Sequence, residues 1–517
     1  MKSGSWILFC LLFARAIVAQ TFVAGNVNGE WTAAGNPYIA TGSLFLAAQD
    51  TLLIRPGVQV HFTGGDQFNI TGHLECAGET HSPVLFTQDT SLVGDRWRGL
   101  RFMNTSGDTS VMRHVVIENA VSYSGALSVL EQPVDFSHIT IRNCDGVGLK
   151  LERTTAELTD ILLVNNGHMS ACGGGAHLYL SDIVFRRSVF DGNSGMDGGG
   201  ICAFYSTLSL DSCLIRGNRA SIWAGGIFAD SSRVTLTHCV VDSNKATSGG
   251  GGMIVGNSGV RFERTIVRDN RAVYSDGRTG TYGGFVMNAP GPQQISNCLF
   301  IGNWGATGGA LRVAGNTWMF NTGFLDNLYP SIVGDVDTIR HCVFSNPNFR
   351  LEVVGPSGFG RMSAVNINGD STDAFGNLSI PANFDALGPH GQFSLHHTSH
   401  WIDAGDPNLG LDPDSTLPDI GPHAFYRLDP VRDVTIELVD GTDDIRLRWI
   451  GHEEAAEYWI FHSLASEFNW NSASFVGSTP ADEFVVLGAL SAPFQQFTYV
   501  VIASQVSAAS AQLTLQR

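Results

Sequence analysis

An asparagine recurs through the middle of this chain at intervals of 22 to 33 residues. Such a period is typical of a solenoid, in which each repeat forms one turn of a coil stacked on the turn before it. The recurring residues are Asn119, Asn143, Asn165, Asn193, Asn218, Asn244, Asn270, Asn303 and Asn327. Five positions before them, with apolar residues between, lie His114, His138, Asp160, Ser188, Cys213, Cys239, Thr265, Cys298 and Thr322. The repeat predicts one solenoid turn per asparagine.

A pair of glycines follows most of these asparagines after a short loop. The pairs are Gly174-Gly175, Gly199-Gly200, Gly225-Gly226, Gly251-Gly252, Gly283-Gly284 and Gly308-Gly309. Because glycine has no Cβ, the pairs predict a sharp turn where no side chain fits. Asparagine tolerates left-handed turns, and stacked amides can hydrogen-bond to one another, so we expect an asparagine ladder between turns. The pattern predicts a coil of short β-strands.

The small residue that precedes each apolar interval is expected to stack on its equivalents in neighbouring turns. Cysteine in this role is a compact buried hydrophobe. Cys213 and Cys239 would lie on adjacent strands about 4.8 Å apart, which leaves a disulfide between them open. The same position recurs as Ser and Thr, which favours stacked free thiols. The disulfide state of the eight cysteines beyond residue 19 remains open.

Two short motifs recur within the repeats: one occurs at Phe190-x-x-Asn193, Phe300-x-x-Asn303 and Phe324-x-x-Asn327, and the other at Gly174-Gly175-Ala176 and Gly308-Gly309-Ala310. These motifs resemble those of the polymorphic outer-membrane proteins and, more broadly, of right-handed parallel β-helix proteins. The resemblance implies an all-β chain with a right-handed parallel β-helix. We expect its N-terminal turns and cap at residues 20–109, and its repeats with a closing element at residues 110–426.

The composition changes after residue 430, where the glycine pairs end and short alternating strands take over. A period of two with turns between strands indicates a half-buried β-sandwich. Residues 430–517 resemble a fibronectin type III module, with Trp449, Tyr458 and Tyr499 at places where that family has core aromatics. The chain is therefore predicted to be a solenoid followed by a small β-sandwich.

Residues 1–19 are predicted to be a signal peptide, with Lys2 before a short apolar run and small residues ending near Ala19. A secreted or cell-surface protein follows, and no later stretch is apolar enough to span a membrane. The net charge of −18 argues against nucleic-acid partners and anionic membranes, both of which need a basic surface. The oligomeric state stays open.

The most suggestive surface feature is a basic residue directly after three successive asparagines. Arg219, Lys245 and Arg271 are expected to stack at one corner of the coil, where we name them the basic stripe. The neighbouring loops carry Trp223, Tyr274, Tyr282 and Trp304. Aromatic planes with arginine suit the binding of sugar rings, especially anionic ones. The alternative is that Asp242 and Asp269 pair with these bases.

Catalysis is the rival interpretation, because the β-helix fold also houses polysaccharide lyases and hydrolases. A hydrolase needs paired carboxylates, and a lyase needs a base with charge neutralisation. Acidic residues recur at Asp191, Asp211, Asp242 and Asp269, but spacing alone does not pair them. No compact catalytic motif is recognised, so the catalytic residues stay unknown. Solvated aspartates are the simpler explanation.

A cluster of aspartates lies in the expected closing element. Asp403, Asp406, Asp412, Asp414 and Asp419 offer hard oxygen ligands that suit Ca²⁺, although aspartate also favours turns. His114 and His138 occupy equivalent places, where stacking is favoured over metal binding, and His396, His397 and His400 form a local cluster of equally low specificity. No cofactor is required. The sequence favours a non-catalytic protein that binds polysaccharide or a cell-surface ligand along the solenoid.

Overall fold

The structure is a computed structural model. It describes residues 20–89, 96–103, 109–257, 259–273, 280–288, 292–314, 316–328, 330–345, 353–354, 364–365, 370–372, 377–378, 384–385, 394–395, 399–412, 417–422, 435–439, 444–450, 457–463, 474–479, 481–486 and 498–504. The predicted signal peptide lies outside these residues. Apart from two short 3₁₀ helices, Ala33–Gly35 and Pro407–Leu409, the regular elements among them are strands. None of their helices is long and apolar enough to cross a membrane.

Parallel strands of successive turns pair in register and form three stacks, which we call faces A, B and C and which strands that bend at the corners join into one continuous sheet. Face A follows the glycine pairs. Its strands are Phe68–Ile70, Leu100–Met103, Leu127–Leu130, Leu149–Glu152, Ala176–Tyr179, Ile201–Phe204, Ile227–Asp230, Met253–Gly256, Phe285–Asn288, Leu311–Ala314, Ile332–Asp335 and Val353–Val354.

Faces B and C complete each turn. Face B contains Gly29–Trp31, Thr51–Ile54, His73–Ala77, Asp182–Arg186, Thr207–Asp211, Arg233–Thr237, Val260–Glu263, Gln293–Ser296, Thr317–Phe320 and Thr338–Arg340. Face C contains Gln59–Phe62, Val84–Gln88, Val189–Asp191, Leu214–Arg216, Val240–Asp242, Ile266–Arg268, Leu299–Ile301, Gly323–Leu325 and Val343–Ser345.

Some strands bend from one face to the next. Ser110–Glu118, Val134–Arg142 and Thr155–Val164 run through faces B and C, and Thr21–Asn26 and Tyr38–Leu46 run through faces C and A. Short strands between faces C and A form a fourth stack, row D: Ser194–Asp197, Arg219–Trp223, Lys245–Ala246 and Arg271–Ala272. Upstream, Val121–Ser122 pairs with Asp145–Gly146 at the same corner. The prediction of a parallel β-solenoid is confirmed.

The core is a column of apolar side chains enclosed by the three faces. Alternate residues of each strand point inward, as the period of two requires. Phe300, Phe324 and Phe344 stack in successive turns, with ring centroids 5.1 and 4.9 Å apart. The phenylalanine of the Phe-x-x-Asn motif is therefore a core residue.

A ladder of buried asparagine side chains joins the turns at the corner after face C. In each rung, the backbone N–H and the Nδ2 group of one asparagine both donate to Oδ1 of the next, as Asn218 does to Asn244 at 3.0 and 2.9 Å. The ladder consists of Asn166, Asn193, Asn218, Asn244, Asn270, Asn303 and Asn327. The predicted ladder is real from Asn193 onwards.

The predicted register is wrong by one residue in the three upstream turns. Asn119, Asn143 and Asn165 have φ of 60°, 55° and 52°, so they occupy the left-handed turn position and not the ladder. His114, His138 and Asp160 shift in the same way, with positive φ. Asparagine suits both positions, because its short polar side chain tolerates the left-handed region.

The glycine pairs are needed because adjacent turns approach closely. A Cβ on Gly226 would lie 2.4 Å from the carbonyl oxygen of Gly252, and one on Gly200 would lie 2.7 Å from that of Gly226. These distances exclude any side chain. The predicted role of the pairs is confirmed, with the neighbouring turn as the obstacle.

The expected closing element packs on the outside of face C. Trp401 and Ile402 are buried against outward residues of that face, including Ile266 and Leu299. The Asp406 backbone N–H donates to Oδ1 of Asn321 at 2.7 Å. In the sequence, two antiparallel strand pairs come after the solenoid strands and before this element. They are Ala364–Val365 with Ser371–Thr372, and Phe384–Asp385 with Ser394–Leu395.

The C-terminal residues form two antiparallel sheets of three strands. One contains Thr435–Leu438, Ile445–Arg448 and Glu483–Val486, and the other contains Ser474–Thr479, Glu457–Ser463 and Thr498–Ser504. Trp449 and Tyr458 pack edge to face, with centroids 5.2 Å apart. This arrangement is compatible with a small β-sandwich, and the fibronectin type III assignment stays a prediction.

Candidate functional site

The basic stripe is stacked in register along row D. Arg219 pairs with Lys245, and Lys245 with Arg271, as direct neighbours on parallel strands. Each follows a buried ladder asparagine and precedes a buried alanine, so alternation points the basic side chain outward. All three residues are exposed. Because neighbouring strands lie about 4.8 Å apart, the Cα atoms of adjacent basic residues have about the same spacing.

Asp242 is one of two acidic residues expected to pair with the stripe, and it has another partner, as do the catalytic candidates Asp191 and Asp211. Asp242 Oδ2 binds Arg268 at 2.9 Å, and Asp191 Oδ2 binds Arg216 at 2.7 Å. Asp211 likewise binds Arg186 at 2.7 Å. The alternative of Asp242 pairing with the stripe is therefore wrong. Each of these three aspartates, which are catalytic candidates by sequence, therefore has an arginine partner.

Within the described part of the chain, no carboxylate lies within 4.0 Å of the charged nitrogens of the stripe. Asp269, the other acidic residue expected to pair with the stripe, interacts electrostatically with Arg271. Burial raises the pKa of its carboxyl, and Asp242 raises it further, while Arg268 and Arg271 act in the opposite direction. The stripe is thus a stack of like charges.

The aromatic residues predicted beside the stripe include two exposed tryptophans, Trp223 and Trp304, and the half-buried Tyr282. Trp304 pairs with Arg271 in the next turn, and the Arg271 Cζ atom lies 5.8 Å from the centre of its indole ring. Trp223 ends the strand that begins with Arg219, and its backbone N–H donates to Asp197 at 3.0 Å. Tyr282 lies under the guanidinium of Arg312, 5.4 Å from Cζ. Tyr274 lies outside the described residues.

The loop between strands Thr155–Val164 and Ala176–Tyr179 lies at the upstream end of row D, and the sequence did not predict its position. The Met169 carbonyl accepts a hydrogen bond from Ser221 Oγ at 3.0 Å, and the Ala171 carbonyl accepts one from the Met196 N–H at 2.6 Å. The loop is tied to face A by a disulfide between Cys172 and Cys202. The loop therefore lies beside the first strands of row D.

The disulfide between Cys172 and Cys202 is not the Cys213–Cys239 pairing that the repeat left open. Cys213 and Cys239 are both free and buried, and the stacked-thiol alternative is correct for them. Burial raises the pKa of the Cys213 thiol well above its usual value, and raises that of Cys298 to about 12. The bridge instead joins two residues outside the repeat position, so the repeat gave no signal for it.

The acidic cluster of the closing element is held in turns. The Asp403 N–H donates to Asp419 Oδ1 at 2.7 Å, and the Asp419 N–H donates to Asp412 Oδ2 at 2.9 Å. Asp406 Oδ1 accepts from the Asn408 N–H at 2.9 Å and begins a 3₁₀ helix. These contacts support the turn role. Asp414 lies outside the described residues, and calcium binding stays a prediction.

The two equivalent histidines stack as expected. The rings of His114 and His138 lie 4.3 Å apart, and His138 Nε2 is 3.3 Å from Asp160 Oδ2. Burial lowers the pKa of His114, and His138 lowers it further. His400 Nδ1 lies 2.8 Å from Asp370, whereas His396 and His397 lie outside the described residues.

The middle of the solenoid matches a family model described as a right handed beta helix region, over residues 119–280 and 153–328. The solenoid is a right-handed parallel β-helix. Among solved structures, this β-helix chain is similar to the crystal structure of pectate lyase Pel9A, at 13% sequence identity and a TM-score of 0.33. That similarity covers 72% of this chain and 89% of the other. No curated protein sequence matches the chain.

Proposed function

We propose that this β-helix protein binds anionic glycans, or another acidic surface partner, along row D without chemically changing them. The observation that carries the proposal is the basic stripe. Like charges that face each other on neighbouring strands destabilise a sheet. No described carboxylate offsets the charges of Arg219, Lys245 and Arg271, so a bound polyanion would remove this repulsion.

The aromatic residues supply a second kind of contact. Sugar rings have apolar faces that pack on exposed indole rings, and Arg271 lies beside Trp304 so that one sugar unit can meet both. Row D runs along the axis of the solenoid, because its strands stack turn upon turn. A linear polymer aligned with this axis would meet one basic residue per turn.

The overall negative charge of the protein favours polyanion binding at row D over binding elsewhere on its surface. The chain carries a net charge of −18, so a polyanion is repelled over most of the protein. Exposed charge pairs are screened by salt, with a Debye length of about 8 Å at physiological ionic strength. We therefore expect binding at low salt that weakens steeply as salt is added. The proposed setting is outside the cell, at the surface or secreted, as residues 1–19 suggest.

Neutralising the stripe tests the proposal. The triple variant Arg219→Gln, Lys245→Gln and Arg271→Gln loses three exposed charge contacts of about 0.2–1 kcal/mol each. The sum of about 0.6–3 kcal/mol corresponds to roughly 3- to 150-fold weaker binding. Retention on immobilised polyuronate and on a neutral glucan is measured across a salt series. Retention of the triple variant equal to that of the unmodified protein would contradict the proposal.

A control variant with the same change in net charge separates local contact from general repulsion. Arg101, Arg233 and Arg261 are exposed on faces A and B, away from row D. Their triple replacement by glutamine should keep most of the retention. Equal losses in the two triple variants would mean that net charge alone governs binding.

Two tryptophans of matched exposure test the aromatic contact. Trp304 is 38% exposed beside the stripe, and Trp318 is 37% exposed on face B. Trp304→Ala should weaken binding by about 1 kcal/mol, or roughly fivefold, while Trp318→Ala should not. Equal effects of the two substitutions would remove Trp304 from the site.

The same incubations decide between binding and turnover. Each polysaccharide, with and without Ca²⁺, is assayed for new reducing ends and for unsaturated uronates. The proposal expects neither product. If product forms with the unmodified protein but not with the stripe variant, the binding proposal is replaced by a lyase or hydrolase that acts at row D.

A further inference from the structure

Three potential metal ligands converge on the outside of face A, apart from the basic stripe. Cys172, His177 and Cys202 each offer one ligand atom, and these atoms all lie within 4.8 Å of one another. Among the described residues, this is the one group of histidine, cysteine and acidic side chains that meets so closely.

The backbone brings these residues together from two directions. His177 and Cys202 are direct neighbours on paired strands of face A, and both point away from the core. Cys172 comes from the loop upstream of face A, and its Cα lies 5.8 Å from that of Cys202. Gly173 makes this approach possible, because a Cβ there would lie 2.2 Å from the Ala176 carbonyl oxygen and 3.0 Å from Cys202 Cβ.

A hydrogen bond fixes the orientation of the imidazole. His177 Nδ1 lies 3.0 Å from the carbonyl oxygen of Cys172, which can only accept. Nδ1 therefore carries the proton, and Nε2 presents its lone pair. A carbonyl that holds one ring nitrogen while the other binds metal is a common arrangement around histidine ligands.

We propose that Cys172, His177 and Cys202 form a zinc site when their disulfide is reduced. A dithiol reductant gives two electrons and two protons to the disulfide and becomes a disulfide itself. Zn²⁺ then displaces the two thiol protons to solvent and binds two thiolates and one imidazole nitrogen of His177, which leaves a fourth position for water. Two sulfurs on a tetrahedral zinc ion lie about 3.8 Å apart at Zn–S distances of about 2.3 Å.

The surroundings suit a site of this composition. Lys150 is the register neighbour of His177 on the upstream strand, and Phe228 is that of Cys202 on the downstream strand. The ring of Phe204 lies 6.1 Å from that of His177. Lys150 Nζ lies 3.3 Å from Glu152, so the ammonium group is held by a carboxylate on its own strand, and the aromatic rings cover part of the surface beside the site. Cys172 is only partly buried, so an ion can enter from the loop side.

The test compares the reduced and oxidised full chain under nitrogen. The protein is treated with a dithiol, desalted and titrated with Zn²⁺ against a chromophoric chelator. One ion per chain is expected for the reduced form, with at least tenfold weaker binding for the oxidised form. Co²⁺ in place of Zn²⁺ should give thiolate-to-cobalt charge-transfer absorption in the reduced form.

Matched variants show which residues bind the metal. His177→Ala should weaken zinc binding at least tenfold while still forming the disulfide, which a gel-shift thiol assay measures. His168→Ala changes an exposed histidine of the same loop, whose Nδ1 lies 2.8 Å from Ser170 Oγ, and should bind zinc normally. Cys239→Ser changes a buried free cysteine and should also bind normally.

Three results would overturn the proposal. They are the absence of binding by the folded reduced protein, equal affinity in the oxidised form, and unchanged affinity in His177→Ala. If His177→Ala does not fold by circular dichroism, Cys172→Ser replaces it, because the serine keeps the size of the partly buried side chain. Zinc binding that survives in Cys172→Ser at full affinity would equally overturn the site.

Discussion

The asparagine ladder makes a quantitative prediction at Asn218. Its Oδ1 accepts hydrogen bonds from the Asn193 N–H at 2.9 Å and from Asn193 Nδ2 at 3.1 Å. Its Nδ2 donates to the Phe190 carbonyl and to Asn244 Oδ1, both at 2.9 Å. The side chain is fully buried. Asn218→Ala removes all four bonds.

The free-energy cost of Asn218→Ala depends on which hydrogen bonds each partner group keeps. Asn193 Nδ2 still donates to Leu163, and Asn244 Oδ1 still accepts from the Asn218 N–H, but the Asn193 N–H loses its acceptor. A buried donor left without a partner costs about 1–3 kcal/mol, and each other lost bond costs about 0.5–1.5 kcal/mol. The terms sum to about 2.5–7.5 kcal/mol, and because two of the partner groups keep another hydrogen bond, we expect a destabilisation in the lower half of this range, about 4 kcal/mol.

Asn143→Ala is the matched control. Asn143 is exposed, and it occupies a left-handed turn with φ of 55°. Replacing it by alanine costs only the local backbone preference, about 1 kcal/mol. The same chemical change is thus expected to differ by about 3 kcal/mol between the two sites.

Hydrogen exchange read by mass spectrometry is the suitable assay, because turns of a repeat protein can open without global unfolding. Peptides that contain Asn193 should exchange roughly three orders of magnitude faster in Asn218→Ala. Peptides from the turn of Asn143 should change by about fivefold in Asn143→Ala. Effects within a factor of ten of each other would refute the argument that buried amide stacking stabilises this corner.

Three further predictions concern other corners of the coil. Ser206→Ala should lower the free energy of unfolding by about 1–3 kcal/mol, because Ser206 Oγ is the acceptor for the buried Ser181 N–H at 3.1 Å. Hydrogen exchange at Ser181 should become faster, and unchanged protection there would contradict the prediction. Gly226→Ala should prevent stable folding, whereas Gly42→Ala, with its nearest contact at 3.6 Å, should be tolerated; equal thermal midpoints would contradict the close-approach argument. Burial raises the pKa of Asp197, so its ionised form destabilises the folded state above the unfolded pKa of about 4. Asp197→Asn should therefore raise stability at pH 7, by less than about 1 kcal/mol, and make no difference at pH 3, as thermal melts at the two pH values would show.

The period of the asparagines and the glycine pairs determines the solenoid. Both signals are local, because a turn that bends where Cβ cannot fit and a strand of alternating residues are encoded in a few neighbouring positions. The placement of the basic stripe follows from the same period. Residues that occupy one position in successive repeats must stack, which is why the period alone brings Arg219, Lys245 and Arg271 together.

Only the tertiary structure decides the exact register and the partners. Asn165 and Asn166 are adjacent asparagines, and the period alone does not tell which one is buried in the ladder and which one turns the chain. The serine ladder of Thr154, Ser181, Ser206 and Ser232 was also missed, because serine is equally common on surfaces.

The pairing of side chains across turns is likewise a property of the folded chain. Asp242 is close in sequence to Lys245, yet it pairs with Arg268 of the next turn, which lies beside it on face C. Cys172 and Cys202 are 30 residues apart and outside the repeat position. The sequence determined the path of each turn, since that depends on local backbone preferences, and the stacking of turns decided which side chains meet, since those contacts are not local.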